Sequence, residues 1–163
     1  MDKNQFITVV KDNQRLIYKI CHSYCRNREN RIDLEQEILF QLWKSFEKYD
    51  GRVKISTWIY RIALNTAISF YRNDYKQKKH ASIVDVSMIS LVDAEYESEQ
   101  DENIMMLYRF IEQLNEIDKA LMLLYLDDNK YRDIAEIIGI TETNVATKIN
   151  RIKKNLKEQF SNH

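Results

Sequence analysis

The chain has 163 residues, of which 44% are hydrophobic and 31% charged, so it can form one or two small folded domains and is not a disordered chain. It contains two glycines and no proline, which leaves little material for the tight turns of an all-β protein and predicts an all-α fold. No apolar stretch approaches the roughly 20 residues of a membrane span, and the start lacks the order of a signal peptide, so we expect a cytoplasmic protein.

The formal net charge is zero, but the charges are segregated along the chain. Residues 1–80 carry 16 Lys and Arg against 9 Asp and Glu, a net charge of +7, whereas residues 81–102 carry 7 acids and no Lys or Arg. Residues 103–163 carry 9 charges of each sign. We therefore predict two small helical domains, residues 1–80 and 103–163, joined by an acidic linker over residues 81–102.

Cys21 and Cys25 lie four residues apart on a predicted helix, with His22 beside them. This looks like half of a metal site, but a structural zinc site needs four ligands and the sequence has no other cysteine. We therefore predict two buried or half-buried, reduced thiols, and neither a metal nor a cofactor.

The stretch RIDLEQEILFQLWKSF, residues 31–46, predicts an amphipathic helix. Its buried stripe is predicted to contain Leu34, Ile38, Leu42 and Phe46. Acids, amides and aromatic residues lie outside this stripe, namely Asp33, Gln36, Glu37, Phe40 and Trp43. An outer face of this kind is most often only solvated, but large aromatics among acids are also typical of a protein-docking surface.

A second informative helix is predicted over KISTWIYRIALNTAISFYRN, residues 54–73. Its inward stripe is predicted to contain Ile55, Ile59, Ile62, Ala63 and Thr66. Trp58, Asn65 and Arg72 are spaced by seven residues and share another face with Arg61, and Tyr71 extends this face. Aromatic, amide and cationic side chains together form a surface on which unpaired bases can stack. The alternative is that Trp58 belongs to the core.

Residues 103–163 are predicted to form four helices, of which Ile104, Leu107, Ile111 and Leu114 mark the first. Asn115 caps the second, and YRDIAEII, residues 131–138, forms the third. Gly139 ends the third helix because glycine adopts a positive φ at little cost, and Thr141 caps the fourth. Two helices joined by so short a turn form a helix-turn-helix.

The last helix is predicted to bury an apolar stripe of Val145, Ile149, Ile152 and Leu156. Polar and basic side chains lie on its other side, namely Thr143, Asn144, Thr147, Lys148 and Arg151. These residue types hydrogen-bond base edges or phosphates when a helix enters a major groove. The alternative is a surface helix whose charges only solvate it.

Taken in order, these motifs resemble the extracytoplasmic-function class of bacterial sigma factors. The matching stretches are DLEQEILFQLW at 33–43, WIYRIALN at 58–65 with Arg72, and YRDIAEIIGITETNV at 131–145. The resemblance covers about residues 5–160. It implies an alternative sigma factor that binds core RNA polymerase, directs it to promoters and helps to open the DNA, and that is not an enzyme.

The resemblance also implies roles by position. The docking candidates for core polymerase are Asp33, Gln36, Glu37, Phe40 and Trp43. The candidates for contact with a −10-type element, as duplex and as single strand, are Trp58, Arg61, Asn65, Tyr71 and Arg72. The candidates for reading a −35-type element are Thr143, Asn144, Thr147, Lys148 and Arg151. An anti-sigma factor is a further candidate partner. The acidic linker would thread the cationic channels of the polymerase, and the alternative is a flexible tether that its acids only solvate.

Three positions qualify the resemblance. Gly51 would lie in a loop that captures an extruded base, or in an ordinary interhelical turn. Many members of the family have Lys or Arg where this chain has Ala146, and Arg where it has Lys148. Because lysine cannot make the bidentate fork of arginine, the resemblance does not predict the promoter sequence.

Two other classes of function are the alternatives. A plain helix-turn-helix regulator, acting without polymerase, accounts for residues 116–157 and leaves the pattern of residues 33–72 unexplained. An enzyme would need a phosphate-binding loop, a metal set or a nucleophile with a paired base, and the sequence offers none of these patterns.

Overall fold

The computed structural model describes residues 2–78 and 102–162, with side chains up to Asn73 in the first range. Within these ranges the chain forms eight α-helices and no strand, which confirms the predicted all-α fold. The predicted acidic linker lies outside the described residues, apart from Glu102, where a helix begins.

The first compact unit, Met1–Glu97, contains four of the helices. They are α1 (Lys3–Asp12), α2 (Gln14–Tyr24), α3 (Arg28–Phe46) and α4 (Ile55–Lys78). Asp2 caps α1 in a reciprocal pair of hydrogen bonds with Gln5. Asn27 caps α3 by accepting hydrogen bonds from two backbone N–H groups, so both helices begin at a side chain that satisfies their first donors.

The core of this unit lies where α2, α3 and α4 pack together. The predicted stripe of α3 is confirmed, because all its members are buried: Leu34, Ile38, Leu42 and Phe46. Cys21 and Cys25 are buried, as predicted, and no disulfide joins them. Burial is the main cause that raises the pKa of Cys21 to about 12, so this thiol is neutral at physiological pH.

The prediction that α4 buries a single inward stripe is wrong for three of its five members. Ile59 and Ala63 are buried, but Ile55, Ile62 and Thr66 are only half-buried. Further buried positions lie on the adjoining part of the helix surface, namely Tyr60, Leu64, Ala67 and Ile68. Because α4 packs against α2 as well as against α3, its buried face is wider than a single stripe.

The second unit, Ser98–His163, contains the other four helices, as predicted. They are α5 (Glu102–Gln113), α6 (Glu116–Leu126), α7 (Tyr131–Ile138) and α8 (Glu142–Ser161). Asn115 caps α6 as predicted, and its side chain accepts hydrogen bonds from two backbone N–H groups. Phe110 and Ile111 of α5 are buried, whereas Ile104 at the start of α5 is 42% exposed. Helix α5 therefore joins this core through its C-terminal half.

Candidate functional site

The outer face of α3 exposes all five of the predicted docking residues. Asp33, Gln36 and Glu37 are exposed, and Glu37 accepts a hydrogen bond from the side chain of the next turn's Gln41 at 2.9 Å. Phe40 is 56% and Trp43 is 48% exposed. Because α3 is one continuous helix with its apolar stripe buried, these side chains share the side that faces away from the core.

We call this exposed face of α3, with Asp33, Gln36, Glu37, Phe40 and Trp43, the α3 surface. Two residues that the sequence reasoning missed also belong to it. Ile32 is 43% exposed and lies one turn before Gln36, so it extends the apolar part of the surface. Phe6 of α1 contacts the edge of Trp43, with ring centroids 5.0 Å apart, and also contacts Phe46 at 5.2 Å. The spacing of Ile32 from Gln36 could have revealed it, but no local signal connects Phe6 with Trp43.

Trp58, at the start of α4, is half-buried, so it belongs neither wholly to the core nor wholly to the surface. Its ring lies 6.2 Å from that of Phe46 and 5.3 Å from that of Tyr49, between ring centroids. The Tyr49 hydroxyl donates a hydrogen bond to the carbonyl of Val53 at 2.6 Å. This bond closes the loop between α3 and α4, and Gly51 within the loop has a φ of 77°. The indole is therefore held by both the loop and the core.

The structure brings four of the five predicted α4 residues to one side of the helix. Since α4 is continuous over Ile55–Lys78, the spacing of seven keeps Trp58, Asn65 and Arg72 on one face, and Arg61 borders it. Asn65 and Arg72 are exposed, whereas Arg61 is half-buried. Tyr71 lies on a different side, where its ring contacts that of Tyr24 with centroids 6.3 Å apart. We call Trp58, Arg61, Asn65 and Arg72 the α4 surface.

The turn between α7 and α8 has the predicted helix-turn-helix geometry. Gly139 has a φ of 84°, and its N–H donates to the carbonyl of Ala135 at 2.8 Å, which ends α7. The Thr141 side chain accepts a hydrogen bond from the backbone N–H of Asn144 at 3.1 Å, which begins α8. Val145, Ile149 and Ile152 are buried, so the predicted inward stripe is confirmed, with Leu156 half-buried at its end.

The outer side of α8 carries all five predicted residues, which we call the α8 surface: Thr143, Asn144, Thr147, Lys148 and Arg151. Four are exposed and Lys148 is half-buried. The Thr147 hydroxyl donates to the carbonyl of Thr143 at 2.9 Å, which leaves its oxygen as an acceptor. Arg151 forms an ion pair with Asp118 of α6, at 3.1 Å between Nη2 and Oδ2.

Another cation of α8 is engaged within the unit. The Lys153 ammonium lies 4.8 Å from the centroid of the Tyr125 ring, a cation–π contact that the sequence reasoning missed. A hydrogen bond with the Tyr125 hydroxyl is the main cause that raises the pKa of Lys153. Lys153 therefore supports the seating of α8 on α6 and lies away from the α8 surface.

Each of the two units matches a known protein family. Sigma-70 region 2 matches residues 9–77, and sigma-70 region 4 matches residues 104–156. The chain belongs to the extracytoplasmic-function sigma factors. A plain helix-turn-helix regulator accounts for the second match but not for the first. The chain is thus an alternative sigma factor, a transcription initiation factor that binds core RNA polymerase and promoter DNA.

Individual relatives agree with this assignment along the whole chain. The RNA polymerase sigma factor SigV of Bacillus subtilis (strain 168) is 28% identical, over 98% of this chain and 93% of its own. The ECF RNA polymerase sigma factor SigW of the same organism is also 28% identical, over 98% and 90%. In fold, the chain is similar to the sigma factor RpoE of Bartonella quintana, crystallised with the anti-sigma factor NepR. That match has a TM-score of 0.73 and 17% identity and covers 98% of this chain and 96% of the other.

Within residues 2–78 and 102–162, no helix combines the length and the apolar character of a membrane-crossing segment.

Proposed function

We propose that this sigma factor divides promoter recognition between its two units. Residues 1–80 act as sigma domain 2, which docks on core polymerase through the α3 surface and binds the opened −10-type element along α4. Residues 103–163 act as sigma domain 4, which reads the −35-type element with the α8 surface, and residues 81–102 form the acidic linker between them. The factor works in the cytoplasm and acts by binding, without a reaction of its own.

The α3 surface carries the docking proposal. Ile32, Phe40 and Trp43 expose between 43% and 56% of their surfaces on one helix, beside the acids Asp33 and Glu37. Large apolar side chains that share an exposed face are typical of a surface that another protein covers. Aromatic anchors surrounded by charged residues are also the usual composition of an interface centre and its rim.

The α4 surface supports promoter opening. Each base that leaves the stack costs a few kcal/mol, and a protein lowers this cost by binding the base after it has left. Trp58 is half-exposed and fixed by Phe46 and Tyr49, so its ring is preorganised to receive a base or the end of the duplex. Asn65 and Arg72, exposed on the same side, supply hydrogen bonds to base edges and phosphates. Tyr71, which lies elsewhere on α4, contributes by holding the helix against Tyr24.

An anti-sigma factor completes the proposal. The structurally similar RpoE of Bartonella quintana was crystallised with such a protein. The exposed apolar side chains of the α3 surface need a cover whenever polymerase is not bound. We infer that an inhibitory protein covers this surface in the free factor and competes with core polymerase for it.

The experiment that tests the opening role follows unpaired thymines with permanganate on a promoter bound by holoenzyme. We expect Asn65→Ala to reduce thymine reactivity around the start site while leaving the affinity for core polymerase unchanged. Asn4→Ala, an exposed asparagine of α1 outside all three surfaces, is the matched control and should open the promoter normally. Normal opening by Asn65→Ala would contradict the role given to the α4 surface.

A further inference from the structure

The ion pair between Asp118 and Arg151 joins two helices that are far apart in sequence. Arg151 Nη2 lies 3.1 Å from Oδ2 and 3.4 Å from Oδ1 of Asp118, across a separation of 33 residues. The two partners differ in exposure, since the side chain of Asp118 is 10% exposed and that of Arg151 is 55% exposed. A nearly buried carboxylate therefore holds Nη2 of an arginine whose side chain is more than half exposed.

Asp118 is itself fixed in place. Its backbone N–H donates to the side chain of Asn115 at 2.9 Å, and the Asn115 amide donates back to Asp118 Oδ2 at 3.2 Å. The carboxylate thus lies in the first turn of α6, where the helix dipole also favours a negative charge. Because the cap of α6 fixes the position of its carboxylate, Asp118 is an anchor for the longer side chain of Arg151.

The guanidinium of Arg151 keeps donors to spare. Arginine carries five N–H donors in a planar fork, and Asp118 uses those of Nη2. Arg151 belongs to the α8 surface, one turn after Thr147, where the proposed function places duplex DNA. An arginine held at one edge by a carboxylate loses less conformational entropy when its other edge binds a phosphate.

We propose that Asp118 is a positioning residue for DNA recognition, which holds Arg151 in the orientation that contacts a phosphate of the upstream element. This inference rests on the proposed role of the α8 surface. It makes an unusual prediction, because removing an acid close to a DNA-binding surface normally strengthens binding to the polyanion. If Asp118 positions Arg151, removing its charge weakens binding instead.

The test measures the affinity of holoenzyme, formed from core polymerase and the full chain, for a fluorescent duplex selected by the wild type from a random library. We expect Asp118→Asn to weaken binding by about three- to tenfold. Glu112→Gln, which removes an acid of α5 in the same unit, is the matched control and should leave binding unchanged or tighter. Thermal unfolding of each variant, followed by circular dichroism, shows that the variants compared are folded.

Variants of Arg151 separate positioning from general stability. Arg151→Gln should weaken binding and lower the slope of log affinity against log salt by about one, because one phosphate contact is lost. Arg151→Lys keeps the charge but loses the fork, so it should weaken binding with the slope retained. The double variant of Asp118→Asn and Arg151→Gln should bind like Arg151→Gln alone, because Asp118 acts only through Arg151.

The outcomes distinguish this inference from the proposed function. If Asp118→Asn binds as tightly as the wild type, or more tightly, while Arg151→Gln is weakened, the positioning role is overturned and the role of the α8 surface stands. If Arg151→Gln and Thr147→Ala both bind like the wild type, the role of the α8 surface fails and the inference fails with it. If Asp118→Asn is unfolded, Arg151→Lys decides, and unchanged affinity in that variant overturns the positioning role.

Discussion

Helices α3 and α8 share one plan on the inside and differ on the outside. Each buries an apolar stripe, which includes Ile38 in α3 and Ile149 in α8, both 0% exposed. On the outside, α3 exposes Phe40 and Trp43, whereas α8 exposes amides, hydroxyls and cations and no large apolar side chain. The inner stripe seats a helix in its unit, and we propose that the outer residues select the partner. An apolar outer face suits a protein, and a polar, cationic face suits DNA.

The largest expected effect is the loss of stability at the buried positions of α3 and α8, compared with their exposed positions. Ile38→Ala in α3 and Ile149→Ala in α8 should each lower the free energy of unfolding by about 2–5 kcal/mol, since each leaves a cavity in a core. Urea unfolding measures the free energy of unfolding. Tryptophan fluorescence follows the α3 variant, because both tryptophans lie in the first unit, and circular dichroism follows the α8 variant. Phe40→Ala and Asn150→Ala, on the exposed sides, should change the free energy by less than about 0.5 kcal/mol. Equal losses for inner and outer positions would contradict the division.

The next effect concerns core polymerase alone. Phe40→Ala should weaken binding of the chain to core polymerase by about ten- to a hundredfold, because it removes an aromatic anchor from the proposed docking surface. A titration of labelled chain with core polymerase, read by fluorescence anisotropy, gives the affinity. Thr147→Ala, on the α8 surface, is the control and should bind core polymerase like the wild type. A larger loss for Thr147→Ala than for Phe40→Ala would reverse the partners that we assign to the two helices.

Salt sharpens the same comparison. Binding of holoenzyme to promoter duplex should fall steeply with salt, and Lys148→Gln should lower its log–log slope by about one, since one phosphate contact is lost. Binding of the chain to core polymerase through Phe40 and Trp43 should depend less on salt, because burial of apolar surface is not screened. Lys11→Gln, an exposed lysine of α1, is the control for the duplex experiment. An unchanged slope in Lys148→Gln would remove this lysine from the α8 surface.

The smallest expected effects lie in the turns. A Cβ added at Gly139 would meet no atom within 4 Å, so Gly139→Ala should cost only the strain of a positive φ, about 1 kcal/mol. Asp128, after α6, has a φ of 59°, and Asp128→Gly should stabilise the second unit by up to about 1 kcal/mol. Thermal unfolding followed by circular dichroism measures both. A stabilising Gly139→Ala would show that the helix-turn-helix does not need this backbone conformation.

The parts that could be predicted from the sequence are those governed by neighbours in the chain. The stop at Gly139, the caps at Asn115 and Thr141 and the stripe of α3 follow from local rules, and the structure has all of them. The wide buried face of α4 could not be predicted, because it depends on packing against two helices at once. Two contacts join helices that are distant in sequence, one between Phe6 and Trp43 and one between Asp118 and Arg151. No local pattern in the sequence predicts them.

The same distinction applies to the candidate sites. Helical spacing was sufficient to place Asn65 and Arg72 on one exposed face. It was not sufficient for Tyr71, because a ring can turn towards a neighbouring helix, here towards Tyr24. Nor did it show that Trp58 is wedged between core and loop, which needs the position of Tyr49. What a face offers to a partner follows from spacing, whereas what holds each residue in place follows from the tertiary structure.

The most direct test of the central claim is run-off transcription with purified bacterial core polymerase on genomic promoter fragments, with and without this chain. We predict discrete transcripts that appear only with the chain. They should be lost in Phe40→Ala at low chain concentration, and restored at high concentration because only docking is weakened. They should be reduced in Asn65→Ala at every concentration, because the opened strand is no longer held. No transcripts and no association with core polymerase, together with tight duplex binding by the free chain, would contradict the account.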